Sequence, residues 1–511
     1  MKPVLTVAEM READRRAPVP DAVLVGRAGH AVAARAVAML TAARPRQAVY
    51  GARVVVVAGK GNNGADGRVA AAALSARGAK VEVRPAAERF EHLPACDLAI
   101  DAAYGTGFRG TWLGFDAGDA PVLAVDIPSG VDGDTGSCDP DSSLWADETV
   151  TFAALKPGLL LADGRERAGR VHLADIGLPI GRPAIHLVED ADVAKALVPR
   201  PPDSHKWQRA VYVAAGAAGM LGAPTLVARA AMRAGAGYVV LGIPGHDPAL
   251  LPPGEWVGQG LPAVAWDAAV LEQVERCRAL VLGPGLGRSD EAVAAIRRLA
   301  ANAPVPLVLD ADGINALGGE DELASIAHGR SAPTIITPHD GEFARLTGSR
   351  PSAPGADRIG LVRALASRTG AVVLLKGPTT IVGAPDGKVL LAAAGTPALA
   401  TAGTGDVLSG IIGAFLAGGL DALPAGALAA HVHGAAARTL GLPSGLVAGD
   451  LPDLVAHWLS GPGWPGAAPH AASGPAATST RSAARSATAA RVSASASAPA
   501  AGPASGARSR R

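Results

Sequence analysis

Aromatic side chains are scarce in this 511-residue chain, at 3% of positions, so volume in any core must come from Val, Leu, Ile and Ala. Charge of one sign is also missing: 47 basic against 46 acidic residues leave a net charge of +1, which excludes a large electrostatic footprint for nucleic acid or an acidic membrane. The three cysteines, Cys96, Cys138 and Cys277, are odd in number and far apart. They exclude a disulfide framework and a CxxC zinc site, and they fit a reducing cytoplasm. No apolar run of membrane-spanning length is free of Gly, Pro or charge, and the opening residues MKPVLTVAEMREADRRAPVP lack the continuous apolar core of a secretory signal. The expectation is therefore a soluble protein that binds neither nucleic acid nor membrane.

What is present is apolar residues at 49%, with 64 glycines, in a repeated order of apolar strand, small-residue loop and Ala-rich helix. That order predicts an α/β fold of doubly wound parallel sheets. Residues 1–196 hold one such alternation: strands at 52–59, 81–85, in CDLAIDAAYGTG and in PVLAVDIPSG, with a helix predicted over 67–78. The Pro-rich stretch 197–206 reads as a linker. A second alternation fills 207–462. The segment 463–511 collapses to Ala, Ser, Pro, Gly, Thr and Arg, with no acid after Asp453, and reads as a disordered tail.

Chemistry-bearing residues gather at strand ends. In the first domain VVVVAGKGNNGADGR follows a strand and precedes a helix, a place where glycines let the backbone approach a ligand and helix N–H groups can hold phosphate. Asp101, Asp126 and Ser129 end the next strands. With an asparagine amide these are hard oxygen donors, suited to an alkali or alkaline-earth ion; taken singly, Asp101 and Asp126 also read as turn caps.

GKGNNGADG, DAAYGTGFRG and VDIPSGVDGDTG resemble the motifs of the YjeF N-terminal domain, the NAD(P)H-hydrate epimerase. The resemblance implies a Rossmann-like domain that interconverts the R and S hydrates of NADH and NADPH with bound K+. Carried over by motif, Asn62, Asn63, Gly64, Ala65 and Asp66 hold the hydrated dinucleotide. Gly105, Thr106, Gly107, Phe108, Arg109, Gly110 and Thr111 hold its phosphates. Asn63, Asp101 and Ser129 hold K+, and Asp126 is the catalytic group beside the nicotinamide, with Arg109 or Lys156 as its cationic partner. Ala65 stands where the family has a second glycine, so this position fits only if it needs no positive φ.

In the second domain TAGTGDVLSG places Asp406 after Gly403, Thr404 and Gly405, and the apolar spacing 407, 408, 411, 412 and 415 is helical. First-turn N–H groups there suit a phosphate, and the helix dipole is expected to keep Asp406 ionised as a base toward a substrate hydroxyl. Asp406 alone also reads as a helix cap. Lys376 with Thr379 and Thr380, His339 with Asp340 and Glu342, and Asp310 with Asp312 and Asn315 end neighbouring strands.

HKW, GAPTLVARAAMRAGAG, GPGLG, DADGINAL, ITPHDGEFARL, LLKG and AGTGDVLSG resemble, in order, the NAD(P)H-hydrate dehydratase, a ribokinase-like domain. The resemblance implies phosphorylation of the hydrate's hydroxyl and loss of phosphate, with ADP preferred to ATP as donor and with Mg2+. Ala223, Gly285, His339 and Asp406 are implied to contact the hydrated nucleotide. Lys376, Gly377, Pro378, Thr379, Thr380 and Gly405 are implied to bind ADP and AMP, and Asp406 to be the base. Trp207 replaces a small residue near the nucleotide-side loop. Together the domains read as one bifunctional repair enzyme, a lyase and an isomerase, and the resemblance favours a homo-oligomer. The alternative is a small-alcohol kinase of the ribokinase type with a non-catalytic nucleotide-binding N-terminal domain.

Overall fold

The run Val54–Val57 has no polar alternation, the pattern of a strand covered on both faces, and all four side chains are buried. The computed structural model describes residues 1–44, 49–88, 92–108, 112, 114–139, 143–247, 249, 251, 253–441 and 444–461. Arg109, Gly110, Thr111 and the tail 463–511 lie outside the described residues. In chain order the strands are β1 (Lys2–Val4), β2 (Arg53–Ala58), β3 (Lys80–Pro85), β4 (Leu98–Ala102), β5 (Val122–Val125), β6 (Glu148–Phe152), β7 (Arg170–Ala174) and β8 (Ile185–Leu187). They continue as β9 (Ala210–Ala214), β10 (Tyr238–Pro244), β11 (Val257–Leu261), β12 (Ala279–Leu282), β13 (Leu307–Leu309), β14 (Thr334–Ile336), β15 (Val372–Leu375), β16 (Thr380–Gly383) and β17 (Val389–Ala392).

Six strands form a sheet ordered β3-β2-β4-β5-β6-β7, parallel throughout. The chain runs outward from β2 to β3 and then returns past β2 to β4. The switch point between β2 and β4 is where such sheets open a crevice at the strands' carboxyl ends. Helix Asp21–Ala43 is long and apolar enough to span a membrane, but its Leu24, Val32, Ala36 and Leu40 pack in one core with Val54 and Val56 of β2. A Cβ on Gly29 of this helix would lie 2.5 Å from that of Val69, so glycine sets how closely it packs on the helix that follows β2.

The second sheet has eleven strands, ordered β1-β8-β17-β16-β15-β14-β13-β12-β9-β10-β11. The run from β11 to β15 is parallel, β16 and β17 are antiparallel additions, and the switch point falls between β9 and β12. Strands β1 and β8, from the first 196 residues, are carried on this sheet's edge, where β8 pairs with β17. The sheet is covered on one face by helices including Thr404–Ala417, whose Val407, Leu408, Ile411, Ile412, Phe415 and Leu416 are all buried. At about 1.5–3 kcal/mol for each large side chain, that packing anchors the helix start that carries Asp406.

Trp207 sits in the 3-10 helix Lys206–Arg209 just before β9. It packs on Tyr238 at 4.5 Å between ring centroids and under the Arg276 guanidinium at 4.2 Å. Those partners mark the amino ends of the strands, so the expected link between Trp207 and the nucleotide-side loop does not hold.

Candidate active sites

After β2 the helix begins at Asn62 and runs to Ser75, five residues earlier than the expected start at 67. GNNGADG is therefore not a free loop: Asn62, Asn63, Gly64 and Ala65 form the first helical turn. The Ala65 amide donates to the Gly61 carbonyl at 3.0 Å, so Ala65 has helical backbone and its methyl costs no strain. Gly64 is the position where a side chain is excluded, because a Cβ there would lie 1.9 Å from the Gly59 carbonyl oxygen.

This turn, the loop after β4 and the end of β5 border an open cleft of about 1110 Å³, lined among others by Asn62, Asp66, Thr106, Phe108, Asp126 and Lys156. Of the expected epimerase residues, Asn62, Asn63, Asp66, Gly105, Thr106, Gly107, Phe108 and Asp126 thus converge at the switch point. Asp126 has a left-handed backbone at φ 66°, a conformation uncommon outside glycine and enriched at functional turns. Its Oδ1 accepts from Lys156 Nζ at 2.5 Å and from Thr151 Oγ1 at 3.2 Å. Lys156 is 1% exposed and also donates to Thr151 Oγ1 at 2.8 Å and the Phe152 carbonyl at 3.1 Å. Of the two cationic partners left open by the sequence, Lys156 is the one seen paired with Asp126. Asp66 faces the same cleft, where burial, reinforced by the charge of Asp126, pushes its carboxyl up to about 8. Two carboxyls thus share one site, one in an ion pair and the other holding its proton at neutral pH.

Below them Asp101 is buried, accepting from the Ser129 amide at 2.8 Å, the Ser129 hydroxyl at 2.7 Å and the Ala103 amide at 3.1 Å. Burial pushes its carboxyl up to about 6 against the opposing Ser129 bonds. The Tyr104 amide donates to Ser129 Oγ at 2.9 Å, which ties β4's loop to β5's. Asn63, beside Gly105, has both amide atoms, Oδ1 and Nδ2, buried without a partner among the described residues. A buried amide oxygen left bare is costly. It fits a hard cation shared with Asp101 and Ser129. The sequence reading missed Arg11, Asp14 and Lys60, which line the same cleft; the first two come from helix Val7–Arg15, which carries no glycine-rich signature.

At the other switch point the Gly216 amide donates to the Pro284 carbonyl at 2.7 Å, joining the loops after β9 and β12. Gly285, at φ 68°, has room for a Cβ only 3.4 Å from that of Ala223. The expected pair Ala223 and Gly285 is therefore adjacent. His339 caps helix Asp340–Thr347: its Nδ1 accepts from the Gly341 and Glu342 amides at 3.0 and 3.3 Å. That fixes the proton on Nε2, which lies 3.5 Å from Glu342 Oε1.

Asp406 is not the cap of its helix. The cap is Gly403, in the left-handed region at φ 88°, and Asp406 falls at the third helical position. Among the described residues the Gly405 and Asp406 amides have no backbone acceptor, as expected of a helix start that can receive an anion. Beside it Lys376 Nζ donates to buried Asp310 at 2.9 Å, Ser409 Oγ donates to the other Asp310 oxygen at 2.7 Å, and Glu342 lies 4.0 Å from Lys376. Burial disfavours Asp310's charge, but Lys376 outweighs it and holds the carboxyl below its ordinary range. Burial likewise opposes the charge on Lys376, and Asp310 with Glu342 overcomes it. Among the described residues Asp406 has no such direct partner: burial, with Asp310's charge adding and Lys376 opposing, pushes it up to about 7. The expectation that the dipole keeps it firmly ionised is corrected, because desolvation and a neighbouring carboxylate exceed what a partly exposed helix end supplies.

Of the expected nucleotide segment 376–380, residues 376–379 bridge β15 and β16 and Thr380 opens β16. A Cβ on Gly405 would lie 3.5 Å from Lys376 Nζ, so Gly405 and Lys376 meet, as expected. Thr379 departs from the rest: it is buried and its hydroxyl donates to the Leu160 carbonyl at 2.6 Å, so its side chain faces the N-terminal domain.

Comparison with known proteins finds relatives of both halves of the chain. The family model described as NAD(P)H-hydrate dehydratase matches residues 211–458, and that described as YjeF-related protein N-terminus matches 21–95 and 85–158. The bifunctional NAD(P)H-hydrate repair enzyme of Salinibacter ruber is 37% identical, with 89% of this chain and 95% of that one covered. That of Mycobacterium tuberculosis is 39% identical over 75% of this chain and 82% of its own. A Bacillus subtilis ADP/ATP-dependent NAD(P)H-hydrate dehydratase, crystallised with ATP and Mg2+, is 29% identical and covers 52% of this chain and 94% of its own, with a TM-score of 0.45. The chain belongs to the family of bifunctional NAD(P)H-hydrate repair enzymes, epimerase and dehydratase in one polypeptide.

Proposed function

We propose that residues 1–196 epimerise the R and S hydrates of NADH and NADPH and that residues 207–462 dehydrate the S hydrate at the expense of ADP, giving NAD(P)H, AMP and phosphate. The observation that carries the reading is Asp406 at the third position of a helix whose first-turn amides are open, beside the Lys376 and Asp310 pair. Asp406 takes the proton of the hydrate's hydroxyl as the hydroxyl oxygen attacks the terminal phosphorus of ADP. The Gly405 and Asp406 amides and Lys376 hold the charge that develops on the transferred group, and Mg2+ accompanies the nucleotide. The new phosphate ester is a better leaving group than hydroxide; the ring nitrogen's electrons expel it to leave an iminium, and loss of a proton from the adjacent ring carbon then forms the C=C bond of NAD(P)H. A base near pH 7 is well matched to this work.

In the first domain the carbon that inverts bears both a hydroxyl and the ring nitrogen. Asp66, holding its proton to about 8, protonates the departing oxygen. The Asp126 and Lys156 pair receives the proton of the water that returns on the other face, so the site holds acid and base side by side. Asn63, Asp101 and Ser129 would hold K+, which would supply positive charge beside the bound dinucleotide. Family likeness and composition support a cytoplasmic homo-oligomer. Supplying pure S hydrate with ADP tests the dehydratase half: AMP must appear in step with reduced-nicotinamide absorbance. Phosphorylation of an unrelated alcohol with no such recovery would favour the small-alcohol kinase instead.

A further inference from the structure

The segment 376–379 is gripped from two directions. From its own domain, Arg358 donates to both Asp340 carboxylate oxygens at 2.8 and 2.9 Å and to the Lys376 carbonyl at 3.3 Å. From the N-terminal domain, Arg165 of helix Ala162–Arg167 donates to the Pro378 carbonyl at 2.5 Å, the Ala393 carbonyl at 3.1 Å and the Gly395 carbonyl at 3.0 Å. The Leu160 carbonyl, five residues before Arg165, accepts the buried Thr379 hydroxyl. One guanidinium therefore joins two loops: the one after β15 that begins at Lys376, and the one after β17 that leads to Gly403 and Asp406. The loops are close on their own account, since a Cβ on Gly395 would lie 3.2 Å from the Pro378 oxygen. Helix Ala422–Thr439 backs the second loop, for a Cβ on Gly434 would lie 2.7 Å from the Gly395 nitrogen.

We propose that Arg165 is a positioning residue for the dehydratase, through which the epimerase domain holds the ADP-binding loops in their binding geometry. The proposal rests on the reading of 376–380 as the adenine-nucleotide segment. Backbone carbonyls that cannot pair with each other are fixed by a planar donor fork whose N–H groups point in several directions at once. A lysine has one small ammonium in that place and cannot span three carbonyls on two loops. The bonds lie on the nucleotide side of Asp406 and touch neither Ala223 nor Gly285, so their loss falls on ADP and not on the hydrate.

The test is steady-state kinetics of the full chain carrying Arg165→Ala, Arg165→Lys or Thr379→Val, with ADP and S hydrate varied separately. Charge-assisted hydrogen bonds of this kind are worth enough that Arg165→Ala should raise KM for ADP roughly tenfold to hundredfold. Arg165→Lys should recover only part of it, and Thr379→Val should raise it by a smaller factor. KM for the hydrate and the epimerase rate should move less than about twofold, which separates positioning from general loss of structure. An unchanged KM for ADP in Arg165→Ala, or an equal rise in both KM values, overturns the proposal. Thr380→Ala, within the loop itself, keeps the two readings apart. If it raises KM for ADP while Arg165→Ala and Thr379→Val do not, the loop binds nucleotide and the grip is immaterial. If all three leave KM for ADP unchanged, the assignment of the loop fails first.

Discussion

Replacing Asp406 by asparagine keeps the shape of the side chain and removes both its basicity and its charge. In the wild type that carboxyl holds its proton to about 7, through burial and the charge of Asp310. Loss of a positioned base costs about a hundredfold to ten-thousandfold, equivalent to about 3–5 kcal/mol of transition-state stabilisation. Wild-type kcat/KM for S hydrate at saturating ADP should therefore fall with decreasing pH below about 7, about tenfold per unit once the carboxyl is mostly protonated, and Asp406→Asn should show a low and level profile. The same shift has a stability consequence of opposite sign. An unfolded chain ionises Asp406 near the ordinary carboxyl value of 3.8, whereas the fold retains the proton to about 7. Ionisation therefore weighs against the folded state as pH rises through that window. At about 1.36 kcal/mol per pKa unit the penalty is on the order of a few kcal/mol above pH 7. Asp406→Asn should accordingly unfold at higher urea than wild type at alkaline pH, with the gap closing toward pH 4. A loss of activity below tenfold, or a wild-type profile level from about pH 5 to pH 9, would refute the base assignment.

Asp126→Asn should reduce the epimerase rate by about a hundredfold or more while consumption of pure S hydrate stays intact; equal loss of both activities would show a structural role. Lys156→Met leaves Asp126 in the open cleft without its cation at a left-handed backbone position, and should destabilise the chain by about 1–3 kcal/mol in urea titration; an unchanged urea midpoint would contradict the pairing. Asn63→Ala removes the unpartnered amide, and should abolish any stimulation of the epimerase by K+ over Na+ without touching the dehydratase; a retained K+ response would exclude Asn63 as a ligand.

The sites were legible at the ends of the strands. Parallel strands buried on both faces read as unbroken apolar runs such as Val54–Val57, and residues at or past their ends fall toward the switch-point crevices, so Asn63, Asp101, Asp126, Lys376 and Asp406 were singled out by position. What stayed open or escaped depends on partners remote in sequence. The choice of Lys156 over Arg109 rests on a contact across 30 residues to Asp126, and Arg165 lies 213 from Pro378; no local periodicity encodes either contact. The basicity of Asp406 is set first by burial and then by the charge of Asp310, four strands earlier, which reversed the expectation drawn from its helix alone. The helix start at Asn62 was missed because Gly64 and Gly67 look like loop glycines. They are there because β2 and β4 pass too close for a side chain: a Cβ on Gly67 would lie 2.4 Å from that of Ala102. Strands β1 and β8 could not be assigned to the far sheet from their short apolar runs, since an edge strand carries no record of its neighbour.

The central claim is that one polypeptide returns both hydrates to the reduced cofactor. Its direct test is a racemised mixture of R and S hydrated NADPH, given ADP and the full chain, with reduced-nicotinamide absorbance followed to completion. Recovery of the whole pool in wild type, and of the S fraction alone in Asp126→Asn, is the predicted result. Recovery of only the S fraction by the wild type, with spontaneous epimerisation excluded, would contradict it.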